Sequence, residues 1–347
     1  MFFSFLKHFE KSRYTFDVCF EISFMGRLCI CLVLLITALY PGRCCQTEDS
    51  VIVVFWNLEN FFDYSDDGNG DSDKEFSPSG SRCWTRKRFY IKCDAISKSL
   101  LWMKDRYGRM PDIIGLAEVE NKKVLWNLLE HTLLRKYDYG IVHYESHDRR
   151  GIDVALLYRK SIFNLLSSSV RRPECGGRKL DTRDILHVCL TDCRGNDMNF
   201  MVNHHPSKYG GSFKSEERRN ASMSLLKEMC DSVMNIKDAS IVVMGDFNDT
   251  PDAERFGMLD GILVNKAVPH FKTHEGTIRF KGKWELIDMF MVTRNIEDNS
   301  YMEILKIPFL MTYDRVYPGE KPLRTYTGPR YTGGVSDHCP IVLLIKE

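Results

Sequence analysis

Asp337 and His338 lie directly before an apolar run near the end of the chain, in the segment SDHCPIVLLI from Ser336 to Ile345. A buried strand needs neither group, and burying an unpaired carboxylate or imidazole costs several kcal/mol. Two interpretations are open. Either the pair lies in a solvent-exposed junction, or it consists of functional groups held at the end of a sheet. The other polar residues that adjoin apolar runs bear on this choice.

Four other apolar runs end in polar residues of the same chemical kind. The runs are 51–56, 112–117, 198–202 and 240–245, and they are followed by Asn57 and Glu59, by Glu118, by His204, and by Asp246 and Asn248. Because ligand sites commonly form at strand termini, we expect these groups to meet at one edge of packed sheets. Their oxygens suit a hard divalent cation such as Mg²⁺ better than zinc. Histidines beside such a cation suit proton transfer or stabilisation of a charged oxygen, so the set predicts phosphoester hydrolysis.

The elements that must position these groups are short strands with interspersed helices. Apolar, β-branched runs bounded by Gly, Pro, Asn and Asp predict the strands, and one of them, 285–292, carries Asp288 in its interior. Apolar residues at helical spacing predict helices over 215–234 and 121–134. The stretch Asp63 to Arg82, rich in Asp, Gly and Ser, predicts a long surface loop. Without a visible linker, this pattern predicts one α/β domain over residues 50–347.

Residues 1–45 differ from the rest of the chain. Met25-Gly26-Arg27 precedes LCICLVLLITALY, Leu28 to Tyr40, which carries no charge. A basic flank and an apolar run of this length predict a secretory signal, with Met25 as the expected true start. We therefore expect an exported protein, secreted or periplasmic, that stays membrane-anchored if the signal is not cleaved.

Charge and cysteine usage limit the function classes. The formal net charge is +1, so no bulk basic excess exists to hold a polyanion. No recognised nucleic-acid-binding module is present, and a nucleic acid would have to be held at a local site. The cysteines after residue 45 do not have the spacing of zinc ligands.

Seven motifs resemble, in order, those of the endonuclease/exonuclease/phosphatase superfamily. This superfamily includes DNase I-like nucleases, abasic-site endonucleases, sphingomyelinases and inositol polyphosphate phosphatases. The resemblance covers about residues 51–347, in WNLEN (56–60), AEVEN (117–121), RRGIDVALLY (149–158), NHHPSK (203–208), GDFND (245–249), ELIDMF (285–290) and SDHCP (336–340). WNLENFFD and RRGIDVALLY look like an exported bacterial branch. The resemblance implies a DNase I-like four-layered sandwich, in which two mixed, mostly antiparallel β-sheets are flanked by helices.

The same resemblance implies roles for single residues. The metal centre would consist of Glu118 as principal ligand, Asp337, Glu59, and Asn57, which would orient Glu118 or the phosphate. The catalytic set would be His204, which donates to the phosphate, Asp246, which aligns or deprotonates water, Asn248, which binds a phosphate oxygen, and His338, which Asp288 orients. Substrate contacts would come from Arg150, Asn57 and Asn248. The base remains open between Asp246 and His338, and His205 occupies a position where an aromatic residue is common.

The resemblance implies a Mg²⁺ enzyme, with Mn²⁺ as the alternative cation. The first function hypothesis is an exported, nuclease-like phosphodiesterase that acts as a monomer on a phosphodiester substrate such as a nucleic acid. The alternatives are a phosphomonoesterase or sphingomyelinase-like lipid-headgroup esterase on the same centre, and an inactive binding protein. The intact metal and catalytic positions speak against the last. Few cations lie in the motifs (Arg149, Arg150 and Lys208), which favours a singly charged diester.

Overall fold

Two six-stranded β-sheets form the centre of the protein. The computed structural model describes residues 50–68, 70–207, 212–235 and 239–346, so the predicted signal in residues 1–45 lies outside the described residues. The strands of the two sheets are, in chain order, β1 (Ser50–Phe61), β2 (Ile113–Val119), β3 (Tyr139–His143), β4 (Asp153–Arg159), β5 (Asn164–Arg171), β6 (Ile185–Thr191), β7 (Asp197–His204), β8 (Ser240–Asp246), β9 (Leu263–Asn265), β10 (Asp288–Thr293), β11 (Ser300–Ile304) and β12 (Ile341–Lys346).

Both sheets are mixed and mostly antiparallel. The first has the order β11-β12-β1-β2-β4-β3 and the second the order β9-β10-β8-β7-β6-β5. In the first sheet β1 and β2 run parallel, and in the second β7 and β8 do so. The remaining neighbours pair in antiparallel fashion. The predicted sheet architecture is therefore confirmed.

The helices are α1 (Arg86–Tyr107), α2 (Lys122–Glu130), α3 (Ser212–Met234) and the short α4 (Val268–Lys272), with 3₁₀ turns at Leu133–Tyr137, Glu254–Leu259, Arg294–Ile296 and Pro308–Leu310. Small hairpins pair Glu174–Cys175 with Arg178–Lys179, Ile278–Phe280 with Lys283–Glu285, Met311–Tyr313 with Glu320–Pro322, and Tyr326–Thr327 with Arg330–Tyr331. The helix predicted to reach residue 134 ends at Glu130, and α1 was not predicted. Within the described part of the chain, no helix is both long and apolar enough to span a membrane.

Alternation along β1 shows how the layers form. Val51, Val53 and Phe55 belong to the apolar core that contains the second sheet and α3. Ile52, Val54 and Trp56 belong to the core formed with α1 and α2. Successive strand residues point to opposite faces, so the first sheet is buried on both sides. Full burial of each large apolar side chain stabilises the fold by about 1.5–3 kcal/mol.

In its described residues, the segment 63–82 is a loop without helix or strand, as predicted, but a few of its residues are buried. Asp63 and Asp73 are almost fully buried, as is Phe76. The Phe76 ring stacks on Phe62 at a centroid distance of 4.8 Å and meets Trp84 edge-on. The polar composition of the segment indicated exposure, but the Phe76 ring packs the segment against the end of β1.

Candidate active site

His338 and Asp288 form a buried pair at the start of two strands. His338 precedes β12, Asp288 opens β10, and His338 Nδ1 lies 2.8 Å from Asp288 Oδ2. The backbone around His338 is also held, because Ser336 Oγ accepts from His338 N at 3.0 Å and the Trp56 indole donates to the His338 carbonyl at 2.9 Å. His338 is therefore held in place by a buried partner, as the second interpretation requires, whereas Asp337 stays partly exposed beside Arg324.

The register of the second sheet aligns His204, Asp246 and Asp288. Asp246 is paired with His204 on β7 and with Asp288 on β10. Because residues in register point to the same face of a sheet, their side chains gather on one side. Asp246 Oδ2 lies 3.6 Å from His204 Nε2 and 3.8 Å from His338 Nε2. Asp246 is thus placed between two imidazoles.

The first sheet contributes Glu118 and Asn57. Asn57 Nδ2 donates to Asp246 Oδ2 at 3.1 Å, which joins the two sheets. Glu118 Oε2 accepts from Asn60 N at 2.8 Å, and Oε1 lies 3.9 Å from His204 Nε2. The described side-chain hydrogen bonds of Asn57 run to Asp246 and to the Glu59 amide, not to Glu118. Asn57 therefore orients Asp246 in this arrangement, whereas its predicted part in the metal centre stays a prediction.

Left-handed backbone marks the same region. Glu59, Asn60, Glu118 and Asn248 have φ of 48°, 54°, 60° and 51°. Such conformations cost free energy in residues other than glycine, and they cluster where a fold holds functional groups in place.

Asn248 and Arg150 lie at the edge of this set. Asn248 N donates to Asp246 Oδ1 at 2.8 Å, and its side-chain Nδ2 donates to the His205 carbonyl at 3.0 Å. Arg150 approaches Glu118 Oε1 at 3.4 Å and remains partly exposed. Both residues lie close to the predicted catalytic groups, and their roles as substrate contacts stay predictions.

Glu59 and Asp337 meet at Arg324, which the sequence did not indicate. Glu59 Oε1 lies 2.7 Å from Arg324, and its Oε2 accepts from Thr325 N at 3.1 Å. Asp337 Oδ2 lies 3.1 Å from the same guanidinium. Both Glu59 oxygens are occupied, so Glu59 here positions Arg324, and its predicted role as a metal ligand remains a prediction.

Comparison with known proteins agrees with this geometry. A model of the endonuclease/exonuclease/phosphatase family matches residues 52–347. The chain belongs to this family. No curated protein matches it in sequence.

Solved structures of the same fold include enzymes with different substrates. The human nocturnin catalytic domain with bound sulfate is 16% identical, with 86% of this chain and 96% of that chain covered and a TM-score of 0.55. A Bacteroides thetaiotaomicron mannosyl-6-phosphatase is 17% identical, with 85% and 99% covered and a TM-score of 0.52. D. rerio TDP2 complexed with a single-strand DNA product is 15% identical, with 86% and 100% covered and a TM-score of 0.52. At these identities the likeness shows the fold alone.

The endonuclease/exonuclease/phosphatase family is one of metal-dependent phosphoester hydrolases, and this chain is such an enzyme. Glu118 and Asp337 supply carboxylate oxygens, the ligand type that a hard divalent cation prefers, and in this structure they face Arg150 and Arg324. Asp246, Asp288 and His338 also have ligand atoms within 4.8 Å of one another. Oxygen-rich sites of this kind accept Mg²⁺ and Mn²⁺.

Burial and neighbouring charges shift the pKa values of Asp246, His338 and His204 in different directions. Burial raises the pKa of Asp246 to about 7, with Asp288 adding to the rise and His338 opposing it. Burial lowers the pKa of His338, but the carboxylates of Asp288, Asp337 and Asp246 together outweigh burial and hold that pKa well above its usual range. Burial, then the charges of Arg183 and Arg150, hold the pKa of His204 well below its usual range. At neutral pH, His338 is a cation and His204 is a neutral imidazole.

Three residues that contact the site were not predicted from the sequence. Arg183 is buried and donates to the backbone carbonyls of His204 and His205 at 3.1 and 2.6 Å. Lys92 of α1 is buried and donates to the Glu59 carbonyl at 2.6 Å. Arg324 lies outside any apolar run. Each acts through contacts with residues distant in the chain, so no local pattern pointed to them.

Proposed function

We propose that the protein is a Mg²⁺-dependent phosphodiesterase that cleaves its substrate by attack of water. The observation that carries this proposal is the position of Asp246 between neutral His204 and cationic His338, 3.6 and 3.8 Å from their Nε2 atoms. One acceptor and two donors of different charge on one face are what water activation and phosphate stabilisation require.

Asp246 and His338 each carry out one of the two proton transfers. Mg²⁺ held by Glu118 and Asp337 would neutralise phosphate charge when bound. Asp246 accepts a proton from water as the new P–O bond forms, because a carboxyl group with a pKa of about 7 is a suitable base at neutral pH. His338 carries a proton and donates it to the leaving oxygen as the old P–O bond breaks. The assignment of the base therefore favours Asp246.

The charges around the centre favour a singly charged diester. Arg150 already faces Glu118 at 3.4 Å, and Arg324 is ion paired with both Glu59 and Asp337. Because these cations are balanced by carboxylates, little positive charge remains for a dianionic group. Arg324 was absent from the sequence-based count of cations, and Lys208, which was in that count, lies outside the described residues.

A phosphomonoesterase is the second candidate. Arg324 favours it if a terminal phosphate replaces Asp337 as the partner of this half-exposed guanidinium. The fold likeness to a mannosyl-6-phosphatase fits the same candidate.

A substrate panel tests both candidates. Initial rates with Mg²⁺ and with Mn²⁺ are compared for bis-p-nitrophenyl phosphate, plasmid DNA, RNA and sphingomyelin, and for p-nitrophenyl phosphate and an inositol phosphate. We expect the diesters to react faster at equal concentration, and Asp246→Asn to remove the activity. Turnover of monoesters alone would establish the second candidate, and full activity in excess EDTA would exclude a metal enzyme.

We also propose that the protein is exported through the apolar segment Leu28–Tyr40. The support is its basic flank and uncharged length. Leu34→Arg with Leu35→Arg should leave the protein in the cytoplasm, whereas Leu34→Val with Leu35→Val should not. Fractionation of cells that express each variant measures this, and unchanged export of the arginine variant contradicts the proposal.

A further inference from the structure

A second group of acids lies beside the active site, where segment 63–82 meets the end of β2. Asp63, Asp73 and Glu120 are only 1%, 3% and 5% exposed. Asp73 and Glu120 line a cavity of about 730 Å³, together with Asp67. None of them takes part in the catalytic arrangement described above.

Two buried oxygens of this group have no partner among the described residues. Glu120 Oε2 accepts from Asp63 N at 2.7 Å, but Oε1 has no hydrogen-bond donor. Asp73 Oδ2 accepts from Gly68 N at 2.8 Å, but Oδ1 has no donor either. A Cβ at Gly68 would lie 3.1 Å from Asp73 Cγ and 3.2 Å from Glu120 Oε1, so both carboxylates border the same small space. Buried carboxylate oxygens without donors are costly unless a cation or proton satisfies them.

Two cations lie near the group: Arg149 lines the same cavity and faces Asp71, and Lys123 lies beside Asp63 and Asp67. The Lys123 ammonium is 2.8 Å from Asp63 Oδ2 and 3.2 Å from Asp67 Oδ2, and the side chain is half exposed. Ligand oxygens of Asp63, Asp67 and Glu120 lie within 4.8 Å of one another. Burial raises the pKa of Glu120 to about 9, so this carboxyl group carries a proton at neutral pH until a cation replaces that proton, and no hydrogen-bond donor of the described residues faces Glu120 Oε1 or Asp73 Oδ1.

We propose that Asp63, Asp67, Asp73 and Glu120 form a Ca²⁺ site separate from the catalytic centre. The donors are all oxygens of carboxylates, with no nitrogen or sulfur ligand, which suits Ca²⁺ and its flexible coordination by many oxygens. The loop donors come from three positions between residues 63 and 73, and Glu120 comes from the end of β2. A bound Ca²⁺ therefore fastens the segment 63–82 to the strand that carries Glu118.

A shared proton between Asp73 and Glu120 is the competing explanation, and it makes the opposite prediction. If a proton satisfies the two free oxygens, the protein does not bind Ca²⁺ at this position. In that case Ca²⁺ binds neither the unsubstituted protein nor Asp73→Asn at this position.

Calorimetric Ca²⁺ titration of the full chain tests the proposal. The titration uses chelator-treated protein with Glu118→Gln, so that the catalytic centre contributes little. We expect one Ca²⁺ per chain, with binding weakened by roughly tenfold or more in Asp73→Asn and in Glu120→Gln, because loss of ligand charge lowers Ca²⁺ affinity. Asp66→Asn is the matched control, since Asp66 is an exposed acid of the same segment, and it should bind as before. Absence of Ca²⁺ binding, or equal affinity in all variants, overturns the proposal.

Proteolysis gives a readout that does not depend on calorimetry or activity. Lys74 is exposed in this segment. Cleavage after Lys74 by a lysine-specific protease should slow severalfold when Ca²⁺ is added to the unsubstituted protein, and it should not respond in Asp73→Asn. Circular dichroism of each variant establishes that it is folded. Cleavage that ignores Ca²⁺ in the folded, unsubstituted protein contradicts the proposal.

Discussion

Asp246 is the residue on which the other groups of the site converge. Its Oδ2 accepts from Asn57 and faces both His204 and His338, while its Oδ1 accepts from the Asn248 amide at 2.8 Å. Its burial reduces the competition of bulk water for these contacts. A carboxyl group in this setting can take up a proton near neutral pH without losing its orientation.

The His338–Asp288 pair should behave as one unit in catalysis. His338→Ala should lower turnover by roughly 10²-fold, the scale of a positioned acid or charge-stabilising group. Asp288→Asn should cause a smaller loss, because it weakens the 2.8 Å contact that orients and charges the ring. Turnover of the double variant measures the coupling, and losses that simply multiply would show that the two residues act independently.

His205 should make the protein less stable as the pH falls. The ring is buried against Phe247, at a centroid distance of 4.9 Å, and neither nitrogen has a hydrogen-bond partner among the described residues. Burial, then Arg183, lowers its pKa to about 3. Since the unfolded chain binds this proton below about pH 6.5, stability falls between that pH and about 3, by roughly 2 kcal/mol at pH 5.

Replacing His205 by Phe should remove this contribution. His205→Phe keeps an aromatic ring against Phe247, and its free energy of unfolding should fall less between pH 7 and pH 5 than that of the unsubstituted protein. Urea unfolding at both pH values measures the difference. The exposed His147 provides the control, because His147→Gln should keep the original pH dependence. Equal slopes in all three proteins would contradict the linkage.

Residue chemistry was the part of the site most accessible from sequence. Glu118, Asp246 and His338 each adjoin an apolar run, so their type and position could be read locally. Arg324 and Arg183 could not be found this way, because their importance lies in contacts with residues far along the chain. The contacts of Glu59 with Arg324 and Thr325 could not be read from the sequence either, and its predicted role as a metal ligand stays a prediction.

At the scale of elements, the site depends on three strand ends at the same level. The parallel strands β7 and β8 end at His204 and Asp246, and the antiparallel β10 begins at Asp288. Apolar runs predicted the strands but not this register, because pairing between distant segments is set by packing and not by local periodicity. α1 carried a usable signal, with buried Phe89, Cys93, Ile96, Leu100 and Met103 at helical spacing. Its many charges obscured that pattern.

Gly245 keeps β7 and β8 close enough for this alignment. A Cβ at Gly245 would lie 2.5 Å from the Asn203 carbonyl oxygen and 2.7 Å from Asn203 Cβ. Gly245→Ala should therefore push the strands apart beside His204 and Asp246, lowering stability by about 1–3 kcal/mol and reducing turnover. Thermal unfolding and initial rates measure the two effects.

Gly257 is the matched control for Gly245→Ala. It is exposed, and the nearest atom to its Cβ would be Asp260 Oδ2 at 3.7 Å, an ordinary contact. Gly257→Ala should leave both stability and turnover nearly unchanged. A similar response of the two variants would mean that the Asn203 contact does not limit the spacing of the strands.

At the scale of the whole molecule, the active site lies where the two sheets face each other. Glu118 and Asn57 come from the first sheet, and His204, Asp246 and Asp288 come from the second. Gly115 of β2 faces Met244 of β8 with no space for a side chain between them, so the sheets approach closely behind the site. A ligand bound here contacts both halves of the sandwich, and its binding energy becomes part of the stability of the fold.

Metal binding should therefore stabilise the folded protein through Glu118. A cation that binds only the folded state adds about 2.7 kcal/mol to the free energy of unfolding at a concentration 100-fold above its Kd. The measurement is thermal unfolding against Mg²⁺ concentration, with Asp73→Asn present throughout so that the acidic group around Asp63 does not add its own response. In that background Mg²⁺ should raise the unfolding temperature, and Glu118→Gln should move this rise to higher Mg²⁺ concentration, because the amide keeps the shape of the side chain but removes its charge. The Mg²⁺ concentration for half-maximal activity should move in the same direction. If Glu118→Gln leaves both titrations unchanged, Glu118 is not a ligand, and the cation must be held by other residues.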